Sequence, residues 1–230
     1  MFYITGIEIH DSGLLEKAKL EDVLMELLYS EYKSLVFHGG TAIWRCYSGN
    51  RYSRDLDFYY KAGSKSKSEC YKMFIKFFKD RGFSVKNSSY NHLSDTMQFL
   101  LESNVKMKVD INFGYKAGVP TEYLKVDGSR IVVLALTQEE ILDEKIGAYF
   151  DKLHNQSKIK QPEAQDLYDI SYLVTLIKRK NPQTLERAQK LIAEIRDNPP
   201  PNMRSLGSVI LAGLPPTFDM MLETIRKWCE

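Results

Sequence analysis

The sequence predicts an α+β fold, in which a first part containing a small mixed sheet, residues 1–135, is followed by a helical bundle, residues 136–230. Up to residue 135, short apolar or alternating segments typical of strands occur between helical patterns. Beyond that position, the periodic segments have apolar residues at spacings of three and four, which indicates helices. We therefore expect one α+β domain and one helical domain, with the boundary near residue 135.

In the first part, helical and strand patterns alternate along the chain. Residues 15–30 are rich in strong helix formers and predict a first helix. The next segments read as a buried strand (SLVFHGG), about two turns of helix (TAIWRCY) and an alternating strand (RDLDFYY). A second helix is predicted for SECYKMFIKFFKDRG, and three further strands for FSVKNSSY, TMQFLLE and VKMKVDINFG.

The second part begins with a helix, because Thr137 and Glu140 occupy the positions of a capping box. Three more helices are predicted, and each has a proline near its first turn. Their sequences are PEAQDLYDISYLVTLIKRK, PQTLERAQKLIAEIRD and PPTFDMMLETIRKWC.

Composition excludes several classes of protein. The 230 residues include three cysteines at unrelated spacings, which indicate neither a disulfide framework nor a zinc site. The net charge of +2 is far from that of a dedicated nucleic-acid coat protein. Because no apolar run is long enough to span a bilayer and the N-terminus does not resemble a signal peptide, we expect a cytoplasmic protein with no membrane partner.

A D-x-D pair is the first candidate for chemistry. Asp55 and Asp57 lie on the same side of an alternating strand, about 7 Å apart, with Leu56 and Phe58 on the other side. Two like charges at this spacing are tolerated when they share a cation, and carboxylates suit Mg²⁺ bound together with phosphates. The alternative is an exposed strand end with two solvated carboxylates.

Two glycines precede this strand and supply a second candidate. Gly39 and Gly40 follow an apolar strand and start a helix, so the backbone could approach a phosphate and present helix N-terminal N–H groups to it. A plain tight turn is the alternative. Asp110, in the strand KMKVDINFG, supplies a third carboxylate, as a phosphoryl-transfer site with two metal ions requires. A strand with a solvent-exposed polar face explains Asp110 equally well.

The stretch GGTAIWRCYSGNRYSRDLDF resembles the signature of the AbiEii/AbiGii-type toxins, a branch of the DNA polymerase β-like nucleotidyltransferases. The matching residues are Gly39, Gly40, Thr41, Ala42, Arg51, Ser53, Asp55, Leu56, Asp57 and Phe58. The resemblance continues through VDIN to Lys145 and Asp166, where the family has a lysine followed downstream by R-D-L-Y-D. It covers residues 35–175 and departs from the pattern at Gln165, where the family has arginine.

The resemblance implies a polymerase β-like nucleotidyltransferase domain and assigns roles to single residues. Asp55, Asp57 and Asp110 would bind Mg²⁺, while Gly39, Gly40 and Thr41 would hold the triphosphate of an NTP. The resemblance further implies that Lys145 is a triphosphate contact and that Asp166 is its orienting acid or a base near the acceptor. Arg51 and Ser53 are further candidates for nucleotide contacts, although a serine in a turn needs no such role. From the residues alone, Lys145 and Asp166 could equally form a partly buried ion pair, or Asp166 could be an acid placed favourably at a helix N-terminus. Arg45 and Arg51 could pair with phosphate or with surface acids.

The implied activity is transfer of NMP to an acceptor hydroxyl with release of pyrophosphate. The resemblance further implies a toxin of a type IV-like toxin–antitoxin system, with RNA, at the tRNA acceptor end, as acceptor and an antitoxin protein as partner. Two alternatives remain at this point: an enzyme with a small-molecule acceptor, as in aminoglycoside nucleotidyltransferases, and a nucleotide-binding regulatory module without turnover.

Overall fold

The computed structural model describes residues 3–4, 7–8, 11–92, 95–154, 161–196 and 199–230. Residue contacts divide the chain into two compact units. The first unit is Met1–Ser48 with Tyr52–Leu136, and the second is Gly49–Arg51 with Thr137–Glu230. The first contains a mixed sheet with helices and the second is helical, so the predicted α+β class is confirmed. The two domains as independent folding units, with a boundary at residue 135, stay a prediction.

The first unit combines three helices with a short hairpin and a larger sheet. Its elements are β1 (Tyr3–Ile4), β2 (Ile7–Glu8), α1 (Ser12–Glu31), β3 (Val36–His38), α2 (Gly39–Cys46), β4 (Asp55–Tyr60), α3 (Lys67–Asp80), β5 (Ser84–Asn91), β6 (Thr96–Glu102), β7 (Lys106–Phe113), β8 (Val119–Leu124) and β9 (Arg130–Ala135). The sheet is mixed, with the strand order β5-β6-β7-β4-β3-β9-β8. Strand β4 runs parallel to β7, and β3 runs parallel to β9, while the other neighbours are antiparallel.

The two faces of the sheet differ because side chains alternate along each strand. On one face the four central residues of β4 and β7 are fully buried: Leu56, Phe58, Val109 and Ile111. Helix α3 covers part of this face, with the rings of Phe74 and Phe78 centred 6.3 and 5.3 Å from that of Phe99. The other face carries the polar residues that alternate with these, which include the three candidate aspartates.

Strands β8 and β9 are absent from the sequence-based prediction. The signal for them is a turn at Asp127 and Gly128, where Gly128 has φ +83° and the Asp127 side chain accepts a hydrogen bond from the Ser129 backbone N–H at 2.9 Å. Strand β9 joins the sheet beside β3, where Val36 is paired with Leu134. This parallel pairing is not visible in the sequence because its partners lie far apart along the chain.

The second unit is a helical bundle, as predicted. Its elements are α4 (Gln138–His154), α5 (Ala164–Leu176), α6 (Pro182–Ile195), a 3-10 helix (Met203–Ser208) and α7 (Phe218–Cys229). The capping box of α4 is confirmed, since the Glu140 carboxylate accepts from the Thr137 backbone N–H at 2.9 Å and the Glu140 N–H donates to the Thr137 hydroxyl at 3.2 Å. Helix α5 packs against α4 and α7.

Within the described ranges, each helix is too short or too polar to cross a bilayer.

Candidate functional site

Strand pairing brings the three predicted carboxylates onto one face of the sheet. In the parallel pair of β4 and β7, Asp57 lies opposite Asp110, and Asp55 lies opposite Lys108. Adjacent strands are about 4.8 Å apart, and paired residues project from the same face. We call Asp55, Asp57, Asp110 and Lys108 the acidic cluster.

Asp110 is the most enclosed of the three carboxylates, with 12% of its side chain exposed. Its Oδ2 atom accepts from Lys108 Nζ at 2.6 Å and from Gln98 Nε2 at 3.3 Å. Its Oδ1 atom is buried and finds no hydrogen-bond partner among the described residues. A buried, unpartnered carboxylate oxygen is costly, so this atom is the strongest local indication that the cluster accepts a further positive group.

Asp55 is more accessible, with 45% of its side chain exposed. Partial burial raises its pKa, the Lys108 ammonium 3.8 Å from Oδ2 opposes that rise, and the negative charge of Asp110 adds to it. The carboxylates of the cluster therefore repel one another, and the protein offsets this repulsion with a cation.

Gly39 allows the close approach between the start of α2 and the acidic cluster. It follows His38, which is paired with Asp57 across β3 and β4, and its φ is +78°. A Cβ atom at this position would lie 2.4 Å from Oδ2 of Asp57. Only glycine combines this backbone conformation with room for the carboxylate.

We expect Gly39→Ala to destabilise the protein by at least about 1 kcal/mol, because alanine resists a positive φ, and to lower nucleotide transfer by displacing Asp57. Gly63→Ala is the matched control, since Gly63 has φ +63° but a Cβ there would meet no atom within 4 Å. Urea unfolding and the transfer rate distinguish the two changes. Equal effects of both substitutions on transfer would contradict the proposed role of the Gly39–Asp57 contact.

The predicted phosphate cradle forms the first turn of α2. Helix α2 begins at Gly39 directly after β3, and in this part of the chain no side-chain hydrogen bond caps it. Its first N–H groups are therefore oriented as in helix N-termini that bind anions. Thr41 is buried and its hydroxyl donates to the backbone oxygen of Asp55 at 2.6 Å, which ties the helix to β4. The triphosphate roles of Gly39, Gly40 and Thr41 stay predictions.

Arg45 anchors the other end of α2. Its side chain is fully buried and bonds to the Asp22 carboxylate, to the Ala18 carbonyl at 3.2 Å and to the Tyr123 hydroxyl at 3.0 Å. The interpretation of Arg45 as a phosphate ligand is therefore wrong, because its guanidinium lies inside the core with an acid partner. Its role is to hold α2 against α1 and β8.

Glu21 lies beside Arg45 but does not neutralise it at pH 7. Burial raises the pKa of Glu21 to about 8 and outweighs the attraction of Arg45, whose Nε is 4.0 Å from Oε2. Since this pKa is raised on folding, the folded protein keeps a proton that the unfolded chain releases above about pH 4.5. The contribution of Glu21 to stability should therefore fall as the pH rises from about 4.5 to about 8.

We expect Glu21→Gln to match the wild type in stability near pH 4.5 and to exceed it at pH 8.5 by at least about 1.4 kcal/mol, the equivalent of one pKa unit. Urea unfolding at the two pH values measures the difference. Glu16→Gln, at an exposed position of the same helix, should show no such dependence on pH. A Glu21→Gln variant that is no more stable than the wild type at pH 8.5 would mean that Glu21 is ionised in the core.

The acidic cluster fits a divalent cation by its donors. Carboxylate oxygens are the ligands that Mg²⁺ prefers, Asp110 presents an unpartnered oxygen, and an ammonium already lies among the carboxylates. In the described part of the chain, no three acidic, histidine or cysteine side chains are gathered closely enough to hold a metal on their own. A bound ion would therefore need ligands from a substrate as well.

A second cluster of charged side chains lies in the helical unit. The Asp169 carboxylate is only 1% exposed. It accepts two hydrogen bonds from Arg51, from Nε at 2.8 Å and from Nη2 at 2.7 Å, and it forms an ion pair with Lys145, whose Nζ lies 2.8 Å away. Lys145 also lies 3.3 Å from Asp166, which Lys152 contacts at 2.5 Å. We call Arg51, Lys145, Asp166 and Asp169 the buried ion network.

The buried ion network is ionised because its members compensate one another. Burial opposes the charge of each member, but the acids raise the pKa of Lys145, and Arg51 and Lys145 hold the pKa of Asp169 below its usual range. Lys145 and Lys152 likewise lower the pKa of Asp166 against the effect of burial. The Lys145–Asp166 pair expected from the sequence is thus present, and the triphosphate and acid–base roles of these two residues stay predictions.

Arg51 and Gln165 meet in this network. Arg51 Nη1 donates to Gln165 Oε1 at 3.2 Å, so the residue that replaces the family's arginine accepts a hydrogen bond from another arginine. A phosphate at Arg51 would have to compete with Asp169. The nucleotide-binding role of Arg51 stays a prediction, as does that of Ser53, which is half-buried.

Four contributors to the two clusters are absent from the sequence-based prediction: Lys108, Gln98, Asp169 and Lys152, whose ammonium contacts Asp166. Lys108 stands two positions before Asp110 and therefore on the same face of β7, a signal that alternation alone could have supplied. Asp169 is three residues beyond Asp166 and so on the same side of α5. Gln98 lies opposite Asp110 across β6 and β7, and this pairing has no local signal.

Comparison with known proteins identifies the fold. The chain is similar to JHP933 from Helicobacter pylori, with 16% identity, a TM-score of 0.66 and coverage of 95% of this chain and 91% of that one. It is also similar to MenT4, a nucleotidyltransferase toxin from Mycobacterium tuberculosis H37Rv, with 17% identity, a TM-score of 0.58 and coverage of 94% and 84%. These likenesses confirm the predicted nucleotidyltransferase fold.

No curated protein sequence matches the chain. A family model described as the nucleotidyl transferase AbiEii toxin of type IV toxin–antitoxin systems matches residues 24–222, which include both clusters and most of the chain. The predicted resemblance is therefore confirmed, and the protein belongs to the AbiEii family of nucleotidyltransferase toxins.

Proposed function

We propose that the protein transfers NMP from an NTP to an acceptor hydroxyl in a reaction that depends on Mg²⁺. The observation that carries this proposal is the register of β4 and β7, which sets Asp57 beside Asp110 on the polar face of the sheet. In the reaction, the acceptor oxygen forms a bond to the α-phosphorus and the bond from that phosphorus to the bridging oxygen breaks. Pyrophosphate leaves, and the proton of the hydroxyl passes to a carboxylate of the cluster.

When bound, Mg²⁺ would neutralise charge on the triphosphate and lower the pKa of the attacking hydroxyl. Asp55, Asp57 and Asp110 would hold it, and the first turn of α2 would hold phosphate through its N–H groups. Lys145 keeps the role of triphosphate contact that the resemblance implies for it. These assignments account for a glycine beside Asp57, where a larger residue would push the carboxylate away.

We propose RNA as the acceptor, with the tRNA acceptor end as its site. Three lysine–aromatic pairs lie at the C-terminal ends of β4 and β7: Lys61 over Tyr115 at 4.9 Å, Lys116 over Tyr59 at 5.7 Å and Lys67 over Phe113 at 5.8 Å. Tyr115 is 72% exposed. Tyr59 and Phe113 are half-buried. Accessible rings with adjacent cations suit the stacked bases and phosphates of a single strand, and a small acceptor has no need of such a surface.

As a toxin of a type IV system, the protein would act in the cytoplasm and would have an antitoxin protein as its partner. Both statements rest on family membership.

The test is incubation of the purified protein with Mg²⁺, each α-labelled NTP in turn and total tRNA, with and without EDTA. We expect label in RNA and release of pyrophosphate with one or more NTPs, both abolished by EDTA. Raising the salt concentration should reduce labelling of RNA steeply, because phosphate contacts are salt-dependent. In a parallel incubation with an aminoglycoside in place of tRNA, label on that compound and none on RNA would favour the small-molecule enzyme. The absence of pyrophosphate release would favour a regulatory module.

A further inference from the structure

Lys108 is the charged side chain of the acidic cluster for which the proposed reaction has no use. It is the register partner of Asp55 and stands two residues before Asp110, so its side chain projects from the same face as the carboxylates. Its ammonium lies 2.6 Å from Asp110 Oδ2 and 3.8 Å from Asp55 Oδ2. One cation thus joins two of the three predicted metal ligands.

We propose that Lys108 competes with the divalent cation for Asp110 and Asp55. Its ammonium must leave both carboxylates before an ion can bind them, so the cluster binds the ion together with a nucleotide in preference to the ion alone. This inference rests on the proposed function only in taking the cluster as the metal site.

Charge explains why the ammonium and a divalent ion exclude each other there. Both are attracted by the same carboxylate oxygens, and at contact distance they repel each other, because the burial of Asp110 reduces the screening of charge by solvent. A lysine side chain is ordinarily a cation at neutral pH. With its ammonium 2.6 Å from Asp110 Oδ2, Lys108 therefore occupies a carboxylate oxygen that the ion would need.

The side chain of Lys108 is able to withdraw. It is 41% exposed and has a flexible four-carbon stem, so the ammonium can move into water without unfolding the strand. A bound triphosphate adds several negative charges next to the cluster and makes the joint presence of a lysine and a divalent cation favourable again. The ion and the nucleotide should therefore increase each other's affinity.

The test measures binding of Mn²⁺ alone, without nucleotide, to the full chain, from the loss of the electron paramagnetic resonance signal of free Mn²⁺. We expect Lys108→Met to bind Mn²⁺ at least about tenfold more tightly than the wild type, while Lys108→Arg, which keeps the charge, stays within about twofold. Lys106→Met is the matched control. It removes the same charge from the same face of β7, at an exposed position opposite Glu102.

Three results would overturn the proposal: no gain in affinity for Lys108→Met, an equal gain for Lys106→Met, or no Mn²⁺ binding by any variant. Circular dichroism checks that each variant is folded, and Lys108→Gln replaces Lys108→Met if the latter is not. Since no NTP is present, failure here is distinct from failure of the proposed function. Tight Mn²⁺ binding by Lys108→Met with no transfer by the wild type would refute the transferase assignment alone.

Discussion

Asp57→Asn is expected to lower the rate of nucleotide transfer by at least about 10³-fold, which corresponds to about 4 kcal/mol of transition-state stabilisation. Asn keeps the size of the side chain and its place against Gly39 but removes the charge. The proposed reaction needs that charge, because Asp57 lies opposite Asp110 and both would hold the ion that neutralises the triphosphate. The labelling assay with tRNA, at saturating NTP, measures the effect.

Thermal unfolding separates this role from a structural one. The pKa of Asp55 is raised in part by the charge of Asp110, so the cluster contains like-charge repulsion. Removing one carboxylate relieves part of that repulsion, and the melting temperature of Asp57→Asn should equal or exceed that of the wild type. Asp80→Asn, at an exposed position of α3, should stay within about twofold of the wild-type rate. A lower melting temperature together with unchanged transfer would mean that Asp57 serves the fold.

The candidate site could be predicted from sequence where its signals are local. Asp55 and Asp57 share a face because they are two residues apart on a strand, and Gly39 and Gly40 mark the start of a helix after a strand. The resemblance supplied Lys145 and Asp166 in the same way, since each lies within a short motif. The fold class followed from the change of periodicity near residue 135.

What the sequence could not provide is the set of contacts between distant segments. The pairing of Asp57 with Asp110 depends on β7 lying beside β4, although β5 and β6 separate them along the chain. The contact between Lys108 and Asp55 follows from that same register. No local pattern specifies the order of strands in a mixed sheet, so the three carboxylates of the cluster were predicted but Lys108 and the pairing of the strands were not.

Asp169 shows most clearly which contacts cannot be predicted from the sequence. Its position one helical turn beyond Asp166 was visible, and it belongs to the motif that carries the resemblance. Its importance comes from Arg51, which lies 118 residues earlier in the chain and meets it in the helical unit. A sequence pattern indicates that an acid on an apolar helix face has a partner. Only the structure shows that Asp169 has two partners, Arg51 and Lys145.

Asp169→Asn should therefore have the largest effect on stability, a loss of about 3–5 kcal/mol in the free energy of unfolding. Asp169 is the shared anion of Arg51 and Lys145, both of which are largely enclosed. Replacing it leaves one negative charge, Asp166, for two buried cations, and Arg51 loses both of its short carboxylate contacts. Urea denaturation monitored by circular dichroism measures the loss.

Two other variants show whether the loss arises from the buried ion network. Glu186→Gln breaks an exposed pair with Lys190 on α6 and should change stability little, because exposed ion pairs contribute little. Asp166→Asn should destabilise less than Asp169→Asn, since Lys145 retains its 2.8 Å contact with Asp169 and Arg51 is not affected. Equal losses for the two aspartates would mean that Arg51 draws its stabilisation from elsewhere.

The dependence of this effect on pH has a definite sign. Because the pKa of Asp169 is lowered in the folded protein, its contribution is complete above the pKa of an unfolded aspartate, about 3.8, and is lost as the pH falls through the lower folded value. The difference in stability between the wild type and Asp169→Asn should thus be constant from pH 6 to pH 8 and should shrink in acid. A difference that instead grew in acid would show that Asp169 is protonated in the native network, and that Arg51 and Lys145 do not keep its carboxyl group ionised.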